Sequence, residues 1–274
     1  MPDDYRSLRV ERTGVVADVV LTGPGRGNAM GPDFWREIPV LFRAFDRDAE
    51  VRAIVVRGTG GNFSYGLDLV AMGATLGPFL MGTPLAAERT ELLDLIGELQ
   101  GAFDAIATCR KPVIAAVSGW CIGGGLDLIA ACDVRLAAAD ARFSLREVKV
   151  AMVADLGSLQ RLPRIIGEGH TRELALSGKD IDAARASRIG LVNDVYATEP
   201  ELLEAAHALA KNIADNPPLV VQGTKRVLNH GVARDTRAGL ETVALWNAAF
   251  LVSEDLREAL TAFAQKRPPK FDGK

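Results

Sequence analysis

Apolar and polar positions alternate from Leu8 to Arg12, pause at Thr13-Gly14 and resume from Val15 to Leu21, a pattern that predicts a β-hairpin. A loop over residues 22–28 follows. Pro32 and Asp33 then open a stretch in which Phe34, Ile38, Leu41, Phe42 and Phe45 recur at helical spacing. Ala53 to Val56 is short and wholly apolar, as a parallel strand buried on both faces should be. It runs into a glycine-rich stretch, residues 57–66 (RGTGGNFSYG), and then into Leu67–Met72, which reads as helix. A matching unit recurs further along. The strand Val113–Val117 leads through Ser118–Gly125 (SGWCIGGG) into a predicted helix Leu126–Ala131. Between the two units, Leu92, Leu95, Ile96, Leu99, Phe103 and Ile106 mark a helix over 88–107. Val134–Ala137 reads as another short strand, and from Gly167 onward helical stretches dominate, at 182–189, 200–214, 217–230 and 235–265. A strand-like piece, Leu191–Val195, interrupts them, and Pro217-Pro218 breaks the chain before a helix. Strands, glycine-rich turns and helices in alternation predict an α/β fold with largely parallel strands. The boundary falls near residue 200, between an α/β core over 1–199 that holds the site and a helical C-terminal part over 200–274.

With 274 residues and 48% apolar composition, the chain can bury a large core. Its formal net charge is −3, and no basic run longer than a pair precedes Lys266-Arg267, so no nucleic-acid footprint is present. No apolar run approaches the ~18 residues of a membrane span. The opening MPDDYRSL is polar and acidic, unlike a targeting peptide, and FDGK is no peroxisomal address. A cytoplasmic protein without a membrane partner is the expectation. Cys109, Cys121 and Cys132 have no metal-site spacing and read as buried structural thiols, and His170, His207 and His230 lie on polar, helix-like stretches. Without HExxH, GxSxG or GxxxxGKS, neither metal, serine-hydrolase nor P-loop chemistry is indicated.

Two glycine-rich turns remain, each leading toward a helix and each presenting backbone N–H groups that a helix cannot use. Aimed at one point, they would hold a carbonyl oxygen that gains negative charge. Gly123-Gly124-Gly125 would let a substrate approach the backbone closely. Three acids follow. Asp127 lies in the first turn of an apolar helix, Glu147 comes after the strand-like Ala141–Leu145, and Asp155 stands in the apolar run VAMVADLG. Asp127 and Asp155 could each be no more than a helix cap. Apolar surroundings on both sides favour a buried acid at Asp155, whose pKa burial would raise. Together the three fit proton transfer, one carboxylate taking a proton and another acid returning one.

The segments Asn62–Leu69 (NFSYGLDL), Lys111–Gly119 (KPVIAAVSG), Gly123–Asp127 (GGGLD), Cys132–Arg135 (CDVR) and Phe263–Phe271 (FAQKRPPKF) resemble the crotonase, or enoyl-CoA hydratase/isomerase, superfamily. The resemblance covers nearly the whole chain. It implies a spiral of ββα units, a homotrimer or dimer of trimers, and an acyl-CoA substrate whose coenzyme A is part of the substrate rather than a separate cofactor. By resemblance, the oxyanion donors would be the N–H groups of Leu67 and Gly124, with Ser64, Tyr65, Gly66 and Asp68 around the first. Phe263 and Lys266 would lie near the CoA nucleotide. The lysine often found just after the first motif is absent, since Val70 and Ala71 follow Leu69.

Within the superfamily, a hydratase would be expected to carry glutamates at positions 127 and 147, and residue 127 here is an aspartate. The stretches Trp120–Asp127, Glu147–Pro163 and Trp246-Asn247 are similar to the 3,5-to-2,4-dienoyl-CoA isomerases, whose Asp, Glu, Asp set maps onto Asp127, Glu147 and Asp155. The expected reaction is a double-bond shift. Glu147 would exchange the proton at the α carbon, Asp155 would return one at the far end of the diene, and Asp127 would orient groups or hold the charge balance. The rival readings are an enoyl-CoA hydratase or single-bond-shift isomerase on the same fold, and a catalytically silent acyl-CoA binding protein. The segment Gly73–Arg89 would either shape the acyl pocket or be a surface loop.

Overall fold

The computed structural model describes residues 5–23, 26–80, 82, 84–230 and 233–271. Pro24, Gly25, Met81, Thr83, Gly231, Val232 and both chain ends, including most of the FDGK tail, lie outside the described residues.

The predicted hairpin is present. Strands β1 (Leu8–Thr13) and β2 (Val16–Leu21) pair antiparallel, and β3 (Ala53–Arg57), β4 (Val113–Val117), β6 (Val134–Ala138) and β9 (Asp194–Tyr196) continue the sheet in parallel, in the order β1-β2-β3-β4-β6-β9. Both faces are covered, which is why these strands read as continuous apolar runs. On one face Val19, Ile54, Val56, Val113 and Ala115 pack with Phe34, Ile38, Leu41 and Phe45 of α1 (Pro32–Arg47) and with Leu99, Phe103 and Ile106 of α3 (Ala86–Thr108). On the other face the alternate residues Val16, Ala53, Val55, Ile114 and Ala116 meet Leu202, Ala206, Ala210 and Ala214 of α7 (Glu199–Ala214).

A second, three-stranded sheet of β5 (Trp120–Ile122), β7 (Arg142–Ser144) and β8 (Asp180–Asp182) lies beside the first in sequence order. Each spiral unit therefore places one strand in the large sheet, one in the small sheet, and then a helix. The units are β4–β5–α4 (Gly124–Ala131) and β6–β7 followed by a 3₁₀ turn (Glu147–Val150) and α5 (Ser158–Ser177). An isolated parallel bridge of Ser64 to Cys121 gives β3 the same sequel, ahead of α2 (Gly73–Leu80).

Three sequence expectations are corrected, and one open alternative is narrowed. Leu67–Met72 is a turn rather than a helix, because Asp68 Oδ1 accepts the N–H groups of Val70 and Ala71 and winds the chain before α2 begins. Trp120–Ile122, read as part of a turn, is strand β5. The stretch 235–265 is two helices, α9 (Ala233–Phe250) and α10 (Glu254–Ala264), broken where Ser253 caps the second through the N–H of Leu256. The segment Gly73–Arg89 is not a plain surface loop, since Leu76 and Leu80 of α2 join the core.

Several resemblance motifs turn out to hold the architecture. Arg135 donates to the carbonyls of Leu191 (2.8 Å) and Cys132 (2.9 Å). Asp133 Oδ2 accepts from Val113 N–H (2.7 Å) and from the buried Lys225 of α8 (Pro218–His230), at 2.6 Å, so that α8 is anchored to the start of β4. Cys109, Cys121 and Cys132 are buried free thiols. Among the described residues no helix is long and apolar enough to cross a membrane.

Candidate active site

The first turn is shaped by a residue with no obvious sequence signal. Asn28 adopts a left-handed conformation (φ 54°), and its amide donates to the carbonyls of Thr59, Asn62 and Phe63 at 3.0, 2.8 and 3.2 Å. Ser64 Oγ donates to Asn28 O (2.9 Å) and accepts from Gly66 N–H (3.1 Å). Gly66 has φ 76°, and a Cβ there would fall 2.6 Å from Ile122 O and 2.8 Å from Gly124 N, so the first turn rests directly on the second. Only glycine permits both the conformation and the approach.

This contact sets the two donors side by side. Met30 N–H donates to Gly66 O (2.7 Å) and Asp68 N–H donates to Met30 O (3.1 Å), which leaves the intervening Leu67 N–H out of the bridge. Gly124 opens α4, so its N–H has no carbonyl one turn earlier to bond. Among the described residues neither N–H donates a hydrogen bond, and a Cβ on Gly124 would lie 3.6 Å from Leu67 N. Two free donors at the positive end of a helix suit a developing oxyanion. Of the residues flanking Leu67, Ser64 and Asp68 spend their side chains on the loop's own backbone, and the Tyr65 ring packs against Gly27.

The three acids converge behind these donors. Gly123 (φ 53°) lets the Glu147 carboxyl approach, since a Cβ there would lie 3.1 Å from Glu147 Oε1. Asp127 is fully buried in α4, and its Oδ1 accepts the N–H of Ser158 at 2.6 Å. It caps α5 across the core, not its own helix. Asp155 is no helix cap either. Its Oδ2 accepts from the Asn247 amide of α9 at 2.7 Å, and its carbonyl accepts from Gln100 of α3 at 2.8 Å. Asp127 Oδ2 and Glu147 Oε2 are out of solvent with no hydrogen-bond partner among the described residues.

Burial dominates the electrostatics. It pushes Asp127 up to about 6, against the opposing pull of the Ser158 hydrogen bonds and the Arg161 charge. It lifts Glu147 well above the usual carboxylate range, and the neighbouring Asp127 and Asp155 charges add to that rise. Asp155 is also pushed up to about 6 by burial, with the Asn247 hydrogen bond opposing and Asp127 reinforcing. A desolvated set of mutually repelling acids titrates closer to neutral pH than free carboxyls do, as proton transfer to and from carbon requires.

A family model described as enoyl-CoA hydratase/isomerase matches residues 11–274. The chain belongs to this family. Two curated relatives of the hydratase/isomerase chain are named Delta(3,5)-Delta(2,4)-dienoyl-CoA isomerase. The mitochondrial one of Dictyostelium discoideum is 45% identical over 98% of this chain and 92% of its own length. The peroxisomal one of Arabidopsis thaliana is 39% identical over 98% of both chains. The crystal structure of an enoyl-CoA hydratase/isomerase from Pseudoalteromonas atlantica T6c has a TM-score of 0.84 at 26% identity, covering 97% of this chain and all of that one. The compartments in the relatives' names are organellar, and the expectation of a cytoplasmic enzyme has no counterpart in them.

Phe263 is exposed on α10, and Lys266 follows it in a left-handed turn (φ 52°). Among the described residues no group of three or more His, Cys, Asp or Glu side chains could hold a metal ion. Sequence reading missed Asn28, Gln100 and Arg161. Arg161 lies against Gly157, where a Cβ would meet its guanidinium, and pairs with Asp104 at 2.6 Å. A glycine with φ 122° beside an arginine carries no pattern that periodicity detects.

Proposed function

We propose that the protein converts a 3,5-dienoyl-CoA to the 2,4-dienoyl-CoA by removing a proton at C2 and adding one at C6. The observation that carries this reading is the set of three desolvated carboxyls, Asp127, Glu147 and Asp155, beside the two unengaged N–H groups of Leu67 and Gly124. Two relatives named for this reaction support it. Their compartments differ while their reaction is shared, so the reading attaches to the chemistry. The thioester oxygen accepts from Leu67 and Gly124, which stabilises the negative charge that forms as Glu147 takes the C2 proton. The C–H electron pair enters a dienolate extending to C6, where Asp155 delivers its proton and the new double bonds settle at C2 and C4. Asp127, tied to Ser158, holds the local charge balance. A homotrimer or dimer of trimers belongs to the same reading, supported by large apolar side chains left exposed on α8 to α10.

A second reading, hydration of a 2-enoyl-CoA, draws on one observation: the unpartnered oxygens of Asp127 and Glu147 would suit a bound water. The test is a comparison of substrates on the native enzyme and on Asp155→Asn. The variant should lose dienoyl isomerisation by roughly 10²–10⁴-fold, the range a positioned acid or base contributes. It should still exchange the C2 proton with deuterated solvent. Full isomerase turnover by the variant, or efficient water addition without isomerisation by the native enzyme, overturns the reading.

A further inference from the structure

Asp155 differs from the other two acids in being held from the C-terminal helices. The Asn247 amide, 2% exposed, uses both its protons, donating to Asp155 Oδ2 (2.7 Å) and to Val153 O (2.9 Å). Gln100, 8% exposed, makes a parallel bridge from α3. Its amide donates to Asp155 O (2.8 Å) and to Leu240 O of α9 (3.1 Å). The backbone and the carboxylate of one residue are thus both fastened to α9, one directly and one through α3. From these contacts we infer that Asn247 is a positioning residue that selects the far end of the diene as the site of the second proton transfer, by fixing which oxygen of Asp155 carries the proton.

The argument is one of hydrogen-bond capacity. A primary amide N–H is only a donor, and it bonds best to the unprotonated oxygen of a carboxyl, the stronger acceptor. Asn247 therefore keeps Oδ2 free of the proton whether Asp155 is ionised or neutral, and the proton rides on Oδ1. Without the amide, the carboxyl is free to rotate and to protonate at either oxygen, and Val153 O loses its donor. The charged groups around Asp155 do not supply an alternative hold. Asp127 on α4 and Glu147 on the 3₁₀ turn are like-charged with it, and Arg161 of α5 is bonded to Leu156 O and to Asp104 of α3. Among the described residues, the ionised side chains of α9 are paired elsewhere, Asp235 with Arg164 and Arg237 with Glu241. The hydrogen bond from Asn247 also opposes the rise that burial imposes on Asp155, so losing it moves the group's titration upward from about 6.

This inference rests on the proton-transfer roles proposed for Glu147 and Asp155, and the experiment separates the two. Asn247→Ala and Asn247→Ser are compared with Asp155→Asn and with the double variant Asn247→Ala/Asp155→Asn, using a 3,5-dienoyl-CoA in normal and deuterated water. Loss of Asn247 should lower isomerase kcat by roughly 10²-fold, the lower end of a positioned acid's contribution. KM should change little, and exchange of the C2 proton should persist. The alkaline limb of the pH profile, set by the proton donor Asp155, should move to higher pH, and the double variant should be no worse than Asp155→Asn. If Asp155→Asn is inactive but both Asn247 variants keep native turnover and pH profile, the inference fails and the parent reading stands. If Asp155→Asn is fully active, the parent reading fails. If C2 exchange and isomerisation fall together in both Asn247 variants, with the pH profile unmoved, Asn247 only supports the fold and the inference is overturned.

Discussion

Asp127 and Asp155 are held in the folded protein at about 6, above the ordinary value of 3.8. A carboxyl raised in this way favours the fold while it is protonated, below its unfolded value. That contribution is lost as pH rises through the folded value, because ionisation is then easier in the unfolded chain. At pH 7 and above, each such group opposes folding. One pKa unit corresponds to about 1.4 kcal/mol, so the cost is on the order of 1–3 kcal/mol for a partly screened group. Asp155→Asn removes the charge and can still offer an oxygen to Asn247. It should therefore be more stable than the native protein at pH 7.5, with the advantage shrinking toward pH 4. Denaturant unfolding at both pH values checks this, and a variant less stable than the native protein at pH 7.5 contradicts it. The acids are retained against stability, as a reactive site demands.

At the scale of elements, the site is a contact between two turns rather than a property of either. Gly66 and Gly124 touch backbone to backbone, and the first turn keeps its path through the three hydrogen bonds of Asn28. Gly66→Ala would place a methyl group against Ile122 O and Gly124 N and would strain a φ of 76°. It should reduce kcat for proton removal by roughly 10²–10³-fold, the loss seen when one oxyanion donor is displaced. Steady-state kinetics with C2 exchange as readout checks this, and near-native exchange by a folded variant speaks against the donor pair. The glycine runs made both turns visible in the sequence. The Asp68 turn before α2 was hidden because Leu67–Met72 has helix-like composition, and a side-chain hydrogen bond decides the matter. Strand β5 was hidden because Trp120–Ile122 is too short for periodicity to register. Asp127 and Asp155 stood out as acids in apolar runs. Their partners did not, since Ser158 meets Asp127 through its backbone N–H and Gln100 meets the backbone carbonyl of Asp155, contacts that only the fold creates.

Across the whole molecule, the period-two and period-3.6 patterns located nearly every strand and helix of the core, because residues on both faces of the large sheet meet apolar helices. The same patterns could not show that the helical C-terminal part reaches the site. That reach depends on a single side chain, Asn247 at Asp155, just as the anchoring of α8 to β4 depends on Lys225 at Asp133. Nor does α7 stand apart from the sheet, since it covers one whole face of it. Many of the large apolar side chains left exposed lie on α8 to α10, among them Leu219, Val227 and Leu228 and the pair Trp246 and Phe250, whose tilted rings have centroids 4.7 Å apart. Apolar side chains gathered in this way mark an association surface more often than an open face. A trimer or hexamer of this chain is the proposed occupant. Sedimentation of the native protein should then give an assembled mass. Val227→Glu/Leu228→Glu, at positions 75% and 69% exposed, should shift it toward the monomer without unfolding the chain. If the native protein sediments as a monomer at micromolar concentration, the assembly reading is wrong. If the charged double variant assembles like the native protein, α8 lies outside the contact.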